Sequence, residues 1–248
     1  MKKIWALLPV AVFMAISPFI AKIGIPNSAC VLILTLGFPL SILLSYFLFG
    51  KHDIKPAIFG VAFSVLLICG SVCILYFLRS GEFVAPDFSL YHVCSVAALS
   101  LLAAVGEEFI FRGALLGLLV KYCNKFPLPL LLVVQASLFA ASHLVEDKSI
   151  SFFAVTFSSG IFLGWAAQAA KSLWFSIGFH FGWDFAVIFL TGYDSKIFGY
   201  LQGPIIFDSA YASANNFVSL LALAIGALGT MKFFQQTSKN QRSISQAR

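Results

Sequence analysis

Eight apolar runs of about 18 residues or more follow one another along this chain, and nothing else constrains its fold as strongly. They lie at roughly Ile4–Ala21, Ser28–Gly50, Pro56–Leu78, Tyr91–Val120, Leu128–Leu144, Ile150–Ala170, Leu173–Thr191 and Asn215–Phe234. The hydrocarbon core of a bilayer is about 30 Å thick, which a helix crosses in about 20 residues. No water is present there to satisfy backbone N–H and C=O groups, so a continuous apolar run must close its hydrogen bonds within itself. No run alternates polar and apolar residues as a barrel strand does. The expectation is an all-α polytopic membrane protein with about eight transmembrane helices in one bundle. It would be a single domain over residues 1–248, ending in a polar tail over 235–248.

Composition agrees. Of 248 residues 60% are hydrophobic and 10% charged, and the mean hydropathy is +0.95. Soluble domains carry about 25% charged residues. The net charge of +6 does not point to nucleic acid, because the basic residues form no run or face. They fall mostly between the apolar runs, where positive charge sets orientation. With the N-terminus inside, the inner segments hold Lys2, Lys3, Lys51, Lys55, Lys121, Lys125, Lys171, Lys232, Lys239, Arg242 and Arg248. The outer ones hold Lys22, Arg79, Lys148 and Lys196. Both termini are therefore expected in the cytoplasm. Met1-Lys2-Lys3 and the run after it resemble a signal peptide, but no small-x-small cleavage site follows, so the run reads as an uncleaved first span. Five cysteines with no CxxC pair argue against a zinc knuckle or a disulfide framework.

The fourth run departs from the rest. As one helix, Tyr91–Val120 would measure about 45 Å at 1.5 Å per residue. Inside it sit Glu107, Glu108 and Arg112. Charges at membrane depth cost a few kcal/mol each even on lenient scales, so a chain that keeps three within six residues uses them. On a helix Glu108 and Arg112 are i,i+4 with the acid first, the favourable order for an ion pair. Glu107 points about 100° away from Glu108 and has no local partner. Further along, His143 closes the run Phe139-Ala140-Ala141-Ser142-His143, and His180 and Asp184 are i,i+4 on the seventh run. His52 and His92 lie in or beside loops and read as solvated. Counting from the inner end at about 1.5 Å per residue, Glu107 lies about 20 Å up, His143 about 22 Å, and His180 and Asp184 about 12 and 18 Å. Three helices thus offer polar groups at similar depth. GxxxG spacings at Gly113/Gly117, Gly160/Gly164 and Gly178/Gly182 imply close helix contacts, expected among the fourth, sixth and seventh runs.

Glu-Glu-x-x-x-Arg, then Phe-x-x-x-His, then His-x-x-x-Asp on successive spans resembles the CPBP family. That family comprises CAAX prenyl endopeptidases and bacteriocin-processing or self-immunity (Abi) proteins, also called intramembrane metalloproteases. The motif-bearing core would span about 98–189. The resemblance implies an intramembrane endopeptidase acting on membrane-embedded or lipid-tethered peptides, prenylated or bacteriocin-like; the short loops and compact length point to a bacterial cell membrane. By the same resemblance Glu107 activates a water that His143 holds, His180 and residue 184 complete the site, and Glu108 and Arg112 support it. The prenyl endopeptidases carry Asn where this chain has Asp184, and an ionised carboxylate cannot donate to an oxyanion. Glu107, His143 and His180 are also a donor set that suits a divalent metal such as zinc, although no HExxH helix is present. Two other functions fit the same residues: a non-catalytic membrane scaffold or immunity protein, and a proton-coupled transporter using the acids and histidines as a relay. The absence of a visible inverted repeat counts against the latter.

Overall fold

A computed structural model of the chain describes residues 55–79, 82–84, 89–145, 149–195, 199–206 and 219–230. The first two apolar runs, the tail over 235–248, His52 and Cys30 lie outside the described residues. The six remaining runs are all helical: α1 (Lys55–Arg79), α2 (Leu90–Tyr122), α3 (Leu128–Ser142), α4 (Ile150–Ala170), α5 (Trp174–Thr191) and α6 (Ser219–Thr230). Among them α1, α2, α4 and α5 are long and apolar enough to cross a membrane. The all-α, membrane-embedded architecture therefore stands. The fifth run is a short helix: α3 has 15 residues, about 22 Å of rise, and passes into a single 3₁₀ turn at His143–Val145. His143 accordingly sits at the helix terminus, as its place at the end of the run implies.

Local chemistry sets the helix ends. The Ser89 hydroxyl accepts the His92 N–H at 3.1 Å and the Ser149 hydroxyl accepts the Phe152 N–H at 3.2 Å, capping α2 and α4. At the end of α4, Lys171 turns left-handed (φ 50°). Its N–H bonds the Gln168 carbonyl while that of Ser172 bonds the Ala167 carbonyl, the paired closure of a Schellman motif. The Ser172 hydroxyl then accepts the Trp174 N–H, so α5 starts at once and folds back on α4.

Glycine decides which helices are neighbours. A Cβ on Gly60 would stand 2.6 Å from the Phe175 carbonyl oxygen, and one on Gly178 would run into Ala57. Gly182 closes on Val61 and Ser64. Those matched positions rise together along both helices, so α1 and α5 run parallel at backbone contact. Gly160 and Gly164 instead press on Ala136, Leu132 and Gln135 of α3. The close contacts expected from the GxxxG spacings thus exist: Gly113 meets Leu173 and Gly164 meets Leu116, joining the fourth run to the seventh and the sixth, while the tightest approaches add the third run to the seventh and the fifth to the sixth. In lipid such packing rests on dispersion between backbones and not on water exclusion. A cluster of Phe162, Phe175 and Phe179, flanked by Phe59, Phe63 and Trp183, fills the space between α1, α4 and α5.

The connector that follows α5 contains short strands that no alternation of polar and apolar residues foretells. Tyr193–Ser195 and Gly199–Leu201 form a hairpin, and Ile205–Ile206 pairs antiparallel with Glu82–Phe83. That ribbon ties the segment leaving α1 to the segment leaving α5 at one end of the parallel pair.

Candidate active site

The charged stretch of α2 is not α-helical. From Glu108 to Leu116 the helix takes nine residues of π geometry, with i→i+5 hydrogen bonds, before returning to α at Gly117. Such widened turns occur often at functional sites. The separation of Glu107 from Glu108 reasoned on α geometry keeps its sense, because the two acids part company at the junction. Glu108 and Arg112 are completely buried, whereas the side chain of Glu107 is 29% exposed and lines a cavity.

Glu108 is shared rather than spent on Arg112. One carboxylate oxygen, Oε1, accepts Arg112 Nη1 at 2.8 Å and His180 Nδ1 at 2.9 Å. The sequence paired Glu108 with Arg112 alone; the contact with a helix 72 residues away exists only in the folded bundle. The guanidinium carbon of Arg112 lies 4.2 Å from the centre of the Phe139 ring, a cation–π contact worth most where water is excluded. Phe139 serves the site again through its carbonyl, which accepts His143 Nδ1 at 2.9 Å and the Ser142 hydroxyl at 2.7 Å. Its ring also stands edge-on to Phe111 and tilted against His143.

Both histidines are therefore anchored through Nδ1, which turns both Nε2 atoms towards Glu107. Glu107 Oε2 lies 3.6 Å from His143 Nε2 and 3.8 Å from His180 Nε2. Asp184 Oδ2 lies 3.4 Å from His180 Nε2. The two Glu107 separations are too long for direct hydrogen bonds and suit a water seated between the groups. Glu107 Oε2 has no hydrogen-bond partner among the described residues. The structure thus brings together Glu107, His143, His180 and Asp184 from three helices, with Glu108 and Arg112 behind His180. His92 is apart from them, capped into the start of α2 and buried beside Phe189.

The cavity measures about 350 Å³. One end holds Glu107, His143, His180 and Asp184; its walls are mostly apolar, including Phe152, Val155, Trp183, Val187 and Leu223. A carboxylate, two imidazoles and a second carboxylate facing a membrane-buried chamber can hold and deprotonate a water and steady an oxyanion. Their chemistry would also suit zinc. Yet among the described residues no group of three or more His, Cys, Asp or Glu side chains is arranged to hold a metal ion, and no step below passes through one. What sequence reasoning missed is the π segment and the double use of Glu108. An apolar run has no periodic signal from which an i→i+5 turn could be read.

A helical membrane bundle that gathers these groups around a buried chamber has the makings of a hydrolase working at membrane depth. Residues 88–186 match the family model described as Type II CAAX prenyl endopeptidase Rce1-like, a stretch that contains all three motifs. That match likens this part of the chain to the CAAX proteases of the CPBP family. No curated protein matches the chain.

Proposed function

We propose that the protein hydrolyses a peptide bond of a membrane-embedded or lipid-tethered substrate with Glu107 as general base. The observation that carries this is the placement of Glu107 Oε2, unpartnered and cavity-facing, within 3.8 Å of both His143 Nε2 and His180 Nε2. A water held against Glu107 and His143 gives its proton to Glu107 as its oxygen attacks the carbonyl carbon. The negative charge that develops on the carbonyl oxygen is met by His180 Nε2–H. When the C–N bond breaks, Glu107 returns the proton to the departing amine. In this scheme Asp184 need not donate to the oxyanion as an asparagine would. It faces His180 Nε2 at 3.4 Å and balances that ring's charge, while Glu108 holds its orientation through Nδ1.

The apolar walls favour a lipid-borne peptide, prenylated or a bacteriocin-type leader, over a soluble one. The bias of Lys and Arg between connectors favours an orientation with both termini inside.

The test uses purified full-length protein in lipid vesicles with an S-prenylated CAAX-type peptide and a hydrophobic leader peptide as probes. Glu107→Gln is expected to lower cleavage by about 10²- to 10⁴-fold, the usual worth of a general base, with an unchanged melting temperature. Activity is expected to survive exhaustive chelation; its loss with recovery on added zinc would make the three donors metal ligands instead. Cleavage retained by Glu107→Gln overturns the reading. Proton flux through vesicles abolished by the same substitution would favour the relay.

A further inference from the structure

Away from Glu107 the hydroxyls of Ser100, Thr156, Ser159 and Ser219 line the cavity. Ser100 is 0% exposed, and its hydroxyl is buried without a hydrogen-bond partner among the described residues. That is unusual for this bundle. The hydroxyls of Ser64, Ser71, Thr156, Ser159, Thr191 and Thr230 each bond a carbonyl of their own helix three or four residues back. Such back-bonding is how a serine or threonine in an apolar helix is normally satisfied. A hydroxyl closed off from water and left without a partner forgoes stabilisation, unless something that enters the cavity completes it.

Position gives the partner its chemistry. Ser100, Ala103 and Glu107 lie on one face of α2 and all line the cavity. Ser100 stands seven residues from Glu107, about 10 Å along the axis. Val187 and Ile188, about one turn beyond Asp184 on α5, line the same chamber together with Ser219 and Leu223 of α6. The chamber therefore extends along the helices from the Glu107 end towards Ser100. An extended peptide advances about 3.3 Å per residue, so a chain with its scissile carbonyl at Glu107 sets its backbone beside Ser100 about three residues away.

We propose that Ser100 is a substrate-binding residue that hydrogen-bonds the peptide backbone about three residues from the bond cut at Glu107. A hydroxyl both donates and accepts, so it can serve either a substrate carbonyl or an N–H in a wall that is otherwise mostly apolar. This assignment rests on the hydrolytic reading for the identity of the scissile position, but its measurement does not depend on turnover.

Binding is measured on Glu107→Gln protein in lipid vesicles with a fluorescent S-prenylated CAAX-type peptide and the hydrophobic leader peptide. Adding Ser100→Ala is expected to weaken the affinity of the better-bound peptide about 3- to 10-fold, the worth of one hydrogen bond. Ser100→Thr, which keeps the hydroxyl, is expected to restore most of it. A scan that replaces each backbone amide in turn by an ester is the decisive arm. At one position about three residues from the cut, the ester and Ser100→Ala are expected to give losses that do not add. Unchanged affinity in Ser100→Ala, or additive losses at every position, overturns the proposal. In otherwise wild-type protein, Ser100→Ala should raise KM and leave kcat within twofold; a fall in kcat at constant KM also overturns it. Failure of Glu107→Gln to abolish cleavage would refute the hydrolytic reading and leave the binding result standing.

Discussion

Arg112 offers the sharpest test of how the bundle tolerates charge. Its guanidinium and the Glu108 carboxylate are both fully buried and 2.8 Å apart, and Arg112 Nε and Nη2 and Glu108 Oε2 find no hydrogen-bond partner among the described residues. Replacing Arg112 by Met removes the cation and keeps most of the volume. Glu108 is then left with His180 Nδ1 alone, and breaking a buried ion pair by removing one partner typically costs about 3–5 kcal/mol. The lost contact with Phe139 adds roughly 0.5–2 kcal/mol. Because both residues sit on one helix, part of this loss falls on the helix before the bundle assembles, so the bundle itself should register the lower end. Glu108→Leu with Arg112→Met removes both charges, and stability should return to within about 1 kcal/mol of wild type, as replacing whole buried pairs does elsewhere. Activity should not return, because His180 Nδ1 has lost the acceptor that aims its Nε2 at the cavity. Equilibrium unfolding in mixed micelles and vesicle cleavage measure the two separately. A loss below 1 kcal/mol for Arg112→Met, or a double variant as unstable as the single one, would refute the view of a charge-compensated unit. Recovered activity in the double variant would refute the role given to Glu108 in orienting His180.

Two further expectations concern the scaffold. Gly178→Val places a side chain where even a Cβ would lie 2.7 Å from the Ala57 Cα, so α1 and α5 must separate; overpacking of this kind costs about 1–3 kcal/mol, and activity should fall with it because α5 carries His180. Gly70→Ala, where nothing lies within 4 Å, is the control and should shift the thermal midpoint little. Lys171 is the described non-glycine residue with positive φ, and Lys171→Gly should stabilise the protein by about 0.5–1 kcal/mol, the left-handed penalty of roughly 1–2 kcal/mol less glycine's entropy. A destabilised Lys171→Gly protein in thermal unfolding would mean that the Lys171 side chain contributes more than its backbone strain costs.

What the sequence determined by itself follows from the bilayer acting as solvent. Backbone groups cannot go unsatisfied in hydrocarbon, so the long apolar runs around Pro56–Leu78, Tyr91–Val120, Ile150–Ala170 and Leu173–Thr191 had to be helices, and they are. Charge is expensive there, so Glu107, Glu108 and Arg112 stood out against their neighbours, and the i,i+4 pairing of Glu108 with Arg112 is local enough to be read from spacing. Tertiary structure decided the rest, because the deciding contacts join residues far apart in the chain. Gly178 and Gly182 meet α1 and Gly160 and Gly164 meet α3, a choice of partner that a small-residue spacing permits but does not specify. Depth counting brought Glu107, His143 and His180 to a common level, whereas their convergence on one chamber depends on how three helices rotate about their axes. An apolar run carries no phase to fix that rotation. Here it is fixed by Glu108 holding His180 Nδ1, by the Phe139 carbonyl holding His143 Nδ1, and by the π turn that buries Arg112 against the Phe139 ring.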